Sequence, residues 1–389
     1  MLCYDNQQID SAVFRLYNMA DTKPVSMGRQ SRKYVPRART KRPLGLQSDS
    51  SQSPNKPHPT PTKKGEKWFL PNPLASRLYQ KSGLGSLDEE GILLEPLEVM
   101  FCHWNRHIPV SETWVNDRIQ SDYNFIAKSV VFDVARSGGE IVIPVGNLPN
   151  DKFTNNTFAV KWSRNSSHFS SESLSQIRWF WASQEVDWTD LINWVNSVIE
   201  VGDLPEIFVI DDEMDITMYR ISYEELSGNQ GHWNHLSAKE VTALKDLMEQ
   251  MTPTPTGCFI QGFSSWPLKS IGVEHLSGVN LRQEEIDWII NKLADDAVHE
   301  TLFSHLTEQG CILRPGFKYG CKWRVYDDDV GNSHAPWLLQ PISEAPSSWE
   351  QTCLSVRLAE GVHKKWVCGL KDSNDWRFLH IKRWLPGRV

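Results

Sequence analysis

A chain of 389 residues is too long for one average domain, and it is long enough for two to four small ones, each with its own core. The net charge of −7 disfavours a nucleic-acid partner at first sight, but the charge is unevenly spread, and its distribution matters more than the sum. No apolar run approaches the ~18 residues that span a bilayer, and Met1–Asp10 lacks the basic start and apolar stretch of a secretory signal, so a cytoplasmic location is expected.

In chain order, residues 1–67 read as a disordered basic tail. Seven basic residues and no acid lie between Arg29 and Arg42, and a Ser/Pro/Thr/Lys-rich stretch too polar to bury a core follows to about Lys64. A non-specific RNA-binding arm and a merely solvated tail are both open readings. The seven cysteines, Cys3, Cys102, Cys258, Cys311, Cys321, Cys353 and Cys368, contain no Cys-x-x-Cys pair, which argues against a disulfide framework and a zinc site.

An internal duplication organises the remainder. Leu94–Met100 is answered by Leu281–Trp288, and Ala135–Gly139, leading into the apolar Ile141–Gly146, is answered by Glu308–Gly310 leading into Cys311–Leu313. Trp188–Val201 and Trp349–Val362 both read as helices that open on Trp and carry an apolar stripe at three- and four-residue spacing. Each runs into a strand and an acidic turn, Asp211–Asp215 in one copy and Asp372–Asp375 in the other. Gly310 is expected to cap one helix in the left-handed conformation, and Ser347 with Glu350 to form a capping box at the start of another.

The expected fold is therefore α/β (α+β) in two tandem repeats, each a small helix/strand N-terminal domain followed by a larger domain with a mixed sheet flanked by helices. The expected boundaries are 68–118 and 119–227 for the first repeat, a linker over 228–237, and 238–295 and 296–389 for the second.

The densest chemistry lies in the second copy: Gly316-Phe317-Lys318-Tyr319-Gly320, Trp323-Arg324-Val325-Tyr326, His334 eight residues later, and Val362-His363-Lys364. In that order these segments resemble the tRNA-splicing endonuclease (tRNA-intron endonuclease) family in its archaeal fused two-repeat form, whose members carry a Gly-Phe-Lys-Phe/Tyr-Gly stretch, a Tyr, a His and a Val-x-Lys. The resemblance covers residues 68–389 and is strongest from Leu302 to Lys365. One departure is His363, where the family has Arg.

The resemblance implies that the larger domains are nuclease-like and that Tyr326 is the general base, His334 the general acid and Lys364 the cation on the transition state. No metal and no cofactor is implied. The implied substrate is precursor tRNA with a bulge-helix-bulge motif, cut by its own 2′-OH to leave 2′,3′-cyclic phosphate and 5′-hydroxyl ends. The family also holds the bulge base between two arginines. Arg357, seven residues before the lysine, takes one place, and Arg383, with Arg377 as second choice, the other.

Elementary chemistry fits those roles. Metal-free RNA cleavage needs a base, an acid and a cation. Imidazole, with a reference pKa near 6.5, donates well around neutrality, whereas a phenol near 10 needs a neighbouring cation, for which Lys364 is the natural candidate.

Comparison with the first copy sets Phe158-Ala159-Val160-Lys161 against Trp323–Tyr326, His168 near His334, and Asp203 at the place of Lys364, so the first copy is expected to be catalytically inactive. Its acidic turn Asp211–Asp215 is then expected to serve assembly, as the resemblance implies, in a homodimer. Two other readings stay open: a metal-dependent restriction-type nuclease using Asp327, Asp328 and Asp329, and a structural RNA-binding subunit of a splicing endonuclease complex.

Overall fold

The structure, a computed structural model, describes residues 58–385 apart from 150–152, 154–155, 165, 276–277, 295–300, 332 and 373–374. The expected tail overlaps this range at its end. Thr62–Lys64 is a strand (β1), so ordered chain starts before Trp68, and the rest of the expected tail, residues 1–57, lies outside the described residues.

β1 pairs with β2 (Lys67–Pro71), and β3 (Ser86–Asp88) with β4 (Gly91–Leu94), in an antiparallel sheet ordered β1-β2-β4-β3. Helix α1 (Leu74–Ser82) joins the hairpins, and α2 (Pro96–Arg106) follows with Pro96 at its first position, where the missing N–H costs nothing. Two more helices, α3 (Trp114–Ser121) and α4 (Phe125–Ala135), lead to β5 (Ile141–Pro144), β6 (Ala159–Trp162) and β7 (Ser175–Trp181). The crossover helix α5 (Trp188–Glu200), capped by Asp187, then connects β7 to β8 (Leu204–Ile210) and the hairpin partner β9 (Ile216–Glu224).

Nearly the same order recurs further on. Helix α6 (Ala238–Glu249) precedes a second small sheet of β10 (Thr252–Thr254), β11 (Gly257–Gln261), β12 (Val273–His275) and β13 (Gly278–Arg282), ordered β10-β11-β13-β12. Then come α7 (Gln283–Ala294), α8 (Leu302–Glu308), β14 (Ile312–Pro315), β15 (Trp323–Tyr326), β16 (Trp337–Pro341), α9 (Trp349–Gly361), β17 (Lys365–Asp372) and β18 (Asp375–Trp384).

Gly310 has φ +80° after α8, the left-handed cap that glycine adopts without strain. The start of α9 differs by one residue from expectation. Ser348 is the cap, its hydroxyl accepting from Gln351 N, while Ser347 lends its carbonyl to Val186 N of the other half. Residues 228–232, expected as a linker, are tied down by Gly228 N to Gln309 O, Gln230 N to Gly310 O, and the buried His232 imidazole on the Cys311 carbonyl.

The larger sheet is ten-stranded, β14-β15-β16-β17-β18-β9-β8-β7-β6-β5. Only β7·β8 and β16·β17 are parallel, each spanned by a crossover helix, and the prolines Pro144 and Pro315 sit on the edge strands, where a missing donor is tolerated. The halves join by antiparallel pairing of β18 and β9, from Phe378 opposite Glu224 to Trp384 opposite Met218. One core runs across this seam beneath α5 and α9, with Phe180 stacked on Trp349 at 4.6 Å and Trp194, Trp349 and Trp366 all buried. Much of the tryptophan excess is thus core packing, not surface.

Two buried carboxylates occupy matching places. Glu98 accepts from Gly85 N and Glu95 N, and Glu285 from Gly272 N and Arg282 N, each tying the start of a helix to the small sheet. Burial pushes the Glu98 carboxyl up to about 7, against backbone and Asn147 donors that favour the charge. Glu285 also pairs with Arg282 and Arg314. Glu285→Ala strands two buried N–H groups and two guanidiniums, so it should cost about 3–5 kcal/mol in urea unfolding; a loss below about 1 kcal/mol contradicts this anchoring role.

At the seam, burial pushes the His380 imidazole down to about 4, with Glu224 pulling it up and Lys365 and Lys382 pressing it down. The folded protein therefore holds this group neutral and binds fewer protons than the unfolded chain. Its contribution is full above 6.5, the ordinary imidazole value, and is lost as pH falls toward about 4. Unfolding between pH 7 and pH 4.5 should show a shallower loss of stability in His380→Gln than in the parent; equal slopes contradict it.

Candidate active site

Tyr326 ends β15, buried against Ile312 and Ala335. Side chains alternate along a strand, so Arg324, two residues earlier, shares its face, and the Arg324 guanidinium donates to the Tyr326 hydroxyl at 3.0 Å. The chain then crosses a loop carrying the exposed His334 and enters β16 through Ala335 and Pro336. Lys364 precedes β17, which runs parallel to β16, and its ammonium donates to the Ala335 carbonyl at 2.6 Å, one residue from His334. Lys365 N bonds the Pro336 carbonyl at 2.9 Å and fixes that register.

Tyr326, His334 and Lys364 thus share one end of the sheet and border on Ala335 as packing partner, chain neighbour and hydrogen-bond donor respectively. No hydrogen bond joins their side chains among the described residues. The cation on the phenol is Arg324 instead of the expected Lys364, because the lysine is engaged by the carbonyl next to His334. Burial lowers the Lys364 ammonium below the usual lysine range, and Arg324 lowers it further. Arg324 escaped the sequence reading, although its two-residue spacing from Tyr326 was the available signal.

The turn that delivers Lys364 is unusual. His363 has φ +56°, a left-handed conformation costly for any residue with a Cβ, and the equivalent turn after α5 uses Gly202 at φ +86°. The two turns share a bond, Lys364 N to Ala359 O at 2.9 Å and Asp203 N to Val198 O at 3.1 Å, so Asp203 stands where Lys364 does. Asp203 is buried and accepts from Ser173 Oγ and Gln176 Nε2.

Strand register corrects two other comparisons with the first half. Ile312 faces Tyr326 as Ile141 faces Trp162, so the counterpart of Tyr326 is Trp162, and Lys161 answers Val325. Counting back from Ser175 and Trp337, where β7 and β16 begin, the counterpart of His334 is Glu172 and not His168. His168 packs on Phe169 at 3.8 Å between ring centroids, its imidazole pushed down by burial and then by Arg136.

The Gly316–Gly320 stretch lies at the far end of β15 from Tyr326. Its glycines are architectural: a Cβ on Gly316 would meet Cys321 Sγ at 2.4 Å and Cys321 O at 2.8 Å, and Gly320 caps the turn at φ +65°. Phe317 at its tip is 77% exposed.

Arg357 is exposed on α9, and Arg383 is exposed near the end of β18 with its backbone N–H on Glu360 Oε1 at 2.9 Å. Both neighbour Cys353, whose thiol burial pushes up while Arg383 and Arg357 pull it back. Arg377 is otherwise engaged, stacked on Tyr223 at 3.7 Å and paired with Asp372 at 3.1 Å, which favours Arg383 over it as a free guanidinium.

The left-handed turn makes a separable expectation. His363→Gly should leave stability unchanged or raise it by up to about 1 kcal/mol, whereas the β-branched His363→Val should lower it by about 1–2 kcal/mol in thermal unfolding. Equal melting of the two variants contradicts a strained turn.

Against known proteins, residues 297–377 match the family model for the tRNA intron endonuclease catalytic C-terminal domain. The chain is 28% identical over 176 residues to a tRNA-splicing endonuclease of Thermoplasma volcanium, covering 45% of this chain and 54% of the relative. It is 24% identical over 205 residues to one from Methanococcoides burtonii, covering 45% and 57%, and 34% identical over 92 residues to one from Natronomonas pharaonis, covering 22% and 27%. The chain therefore spans little more than half the length of the first two relatives and about a quarter of the third. The matched residues take in Tyr326, His334 and Lys364, so it is over residues 297–377 that this chain is similar to the catalytic domain of the tRNA intron endonuclease family.

Proposed function

We propose that this protein is a tRNA-splicing endonuclease that cuts precursor tRNA at bulge-helix-bulge sites, with Tyr326 as base, His334 as acid and Lys364 as the cation on the pentacoordinate phosphorus. The observation that carries this reading is the convergence of the three residues on Ala335 at one sheet end. Attack by the substrate's own 2′-OH gives 2′,3′-cyclic phosphate and 5′-hydroxyl ends and asks for no metal. Arg324, donating to the phenol oxygen at 3.0 Å, holds it in place at the sheet end where the base is needed. Arg357 and Arg383 are free to stack on an unpaired base, a contact that reads shape in preference to sequence.

In this reading residues 119–227 and 296–389 are two nuclease-like domains, each behind a small domain (68–118 and 238–295). The first is inactive, because Trp162, Glu172 and Asp203 stand where the second has Tyr326, His334 and Lys364. Its acidic turn, Asp211 to Asp215, is a compact loop closed by the Asp211 carboxylate on Glu213 N and Asp215 N, suited to docking in a homodimer. Reduced, unpaired cysteines among the described residues fit a cytoplasmic enzyme, and none of the described helices is long and apolar enough to cross a membrane.

The test is cleavage of a bulge-helix-bulge RNA by the purified chain in EDTA. Scission should persist, end in cyclic phosphate, stop with a 2′-deoxy nucleotide at the cut, and fall by about 10²–10⁴ in Lys364→Ala and Tyr326→Phe. A requirement for Mg²⁺ points to the restriction-type reading with Asp327–Asp329. RNA binding without cleavage points to a structural subunit.

A further inference from the structure

The last two residues of β18 point to opposite faces of the sheet. Arg383, opposite Tyr219, faces α9, while Trp384, opposite Met218, packs against the core on the other face. There the indole is held between two cations, Lys161 Nζ at 4.0 Å and the Arg220 guanidinium at 4.3 Å from its ring. Both come from the half of the chain with no Tyr–His–Lys set, Lys161 on β6 and Arg220 on β9. Glu206 on β8 binds both, at 2.5 Å to Lys161 and 3.0 Å to Arg220.

Lys161 and Glu206 are fully buried, which is an expensive way to hold a sheet together. A buried ion pair is often no more stabilising than apolar residues of the same volume, so stability alone does not account for it. What the pair does achieve is a fixed ammonium on one ring. Cation and π-face attract strongly when desolvated, and they set the orientation of the indole and of the backbone that carries it. Glu360 fixes the same backbone from the other side by accepting Arg383 N. The Arg383 side chain leaves from a strand end clamped on both faces and lies beside Cys353 with Arg357.

We propose that Trp384 is a positioning residue for Arg383, and that through the Lys161–Glu206–Arg220 cluster the first half of the chain sets how tightly the second half binds RNA. The proposal rests on the reading of Arg383 as a base-stacking residue. It gives the first half a part in substrate binding within one chain, independent of assembly.

The experiment measures binding of the full chain to a bulge-helix-bulge RNA blocked by a 2′-deoxy nucleotide at the cut, alongside single-turnover cleavage of the unblocked RNA. Trp384→Leu should weaken binding about fivefold to twentyfold while the cleavage rate at saturating RNA stays within about threefold, and Trp384→Tyr should restore binding to within about twofold. In an Arg383→Ala background, Trp384→Leu should add less than about twofold.

Independent, multiplicative losses for Trp384→Leu and Arg383→Ala overturn the proposal, as does a fall in the saturated rate without a fall in affinity. If Trp384→Leu does not fold, Lys161→Met with Glu206→Gln keeps the volume and removes one cation from the ring; unchanged RNA affinity there overturns it too. Unchanged binding in Arg383→Ala alone overturns the base-stacking reading first, and this inference with it.

Discussion

Parallel pairing of β16 with β17 is the constraint on which the candidate site depends. Two parallel neighbours start at the same end of a sheet, so the loop leading into β16, which carries His334, and the turn leading into β17, which carries Lys364, open side by side. The antiparallel β15 finishes at that end and contributes Tyr326. Helix α9 makes this possible by crossing from the far end of β16 back to the start of β17. The bond from Lys364 Nζ to the Ala335 carbonyl locks the loop and the turn together. Chemistry at this place therefore needs no long-range fitting of separate domains; it follows from one β-α-β connection and the strand beside it.

The same connection in the first half brings Glu172 and Asp203 to the equivalent end, with Asp203 held by Ser173 and Gln176. The geometry is preserved while the chemistry is exchanged: an ammonium on a backbone carbonyl in one half, a buried carboxylate on a hydroxyl and an amide in the other. Such a replacement leaves the buried Asp203 carboxylate with hydrogen-bond partners, so the half lacks the Tyr–His–Lys set without losing its fold. The seam of β9 with β18 then makes the two halves mechanically one body, with a core that includes Phe180 from one and Trp349 from the other.

Much of this was legible in the residues. The helices opening on Trp188 and Trp349, the cap at Gly310 and the correspondence of Asp203 with Lys364 followed from apolar spacing and from counting between helices of equal length. What escaped had physical reasons. The β9–β18 seam joins residues more than a hundred apart, and nothing in local periodicity marks strand partners at that range. Connections of unequal length on either side of β6 and β15, before them and after them, shifted the comparison of the halves, so Lys161 and His168 stood in for Trp162 and Glu172. The Gly316–Gly320 stretch carried most of the resemblance, yet it shapes a turn at the far end of β15, because a glycine motif records backbone crowding as readily as chemistry. Arg324 and the Lys161–Glu206–Arg220 cluster lay inside strands, where charged residues pass for surface until register reveals which face they share.

In the proposed reaction a phenol, an imidazole and an ammonium close around one phosphodiester at the start of β16 and β17. The most direct test is a crystal structure of the full chain bound to a bulge-helix-bulge RNA with a 2′-deoxy nucleotide at the cut. The scissile phosphate should lie within about 3 Å of Lys364 Nζ, with the Tyr326 hydroxyl toward the ribose 2′ position and His334 toward the leaving 5′-oxygen. A phosphate seated elsewhere, with Lys364 still turned to the Ala335 carbonyl and Arg357 and Arg383 touching no base, would contradict it.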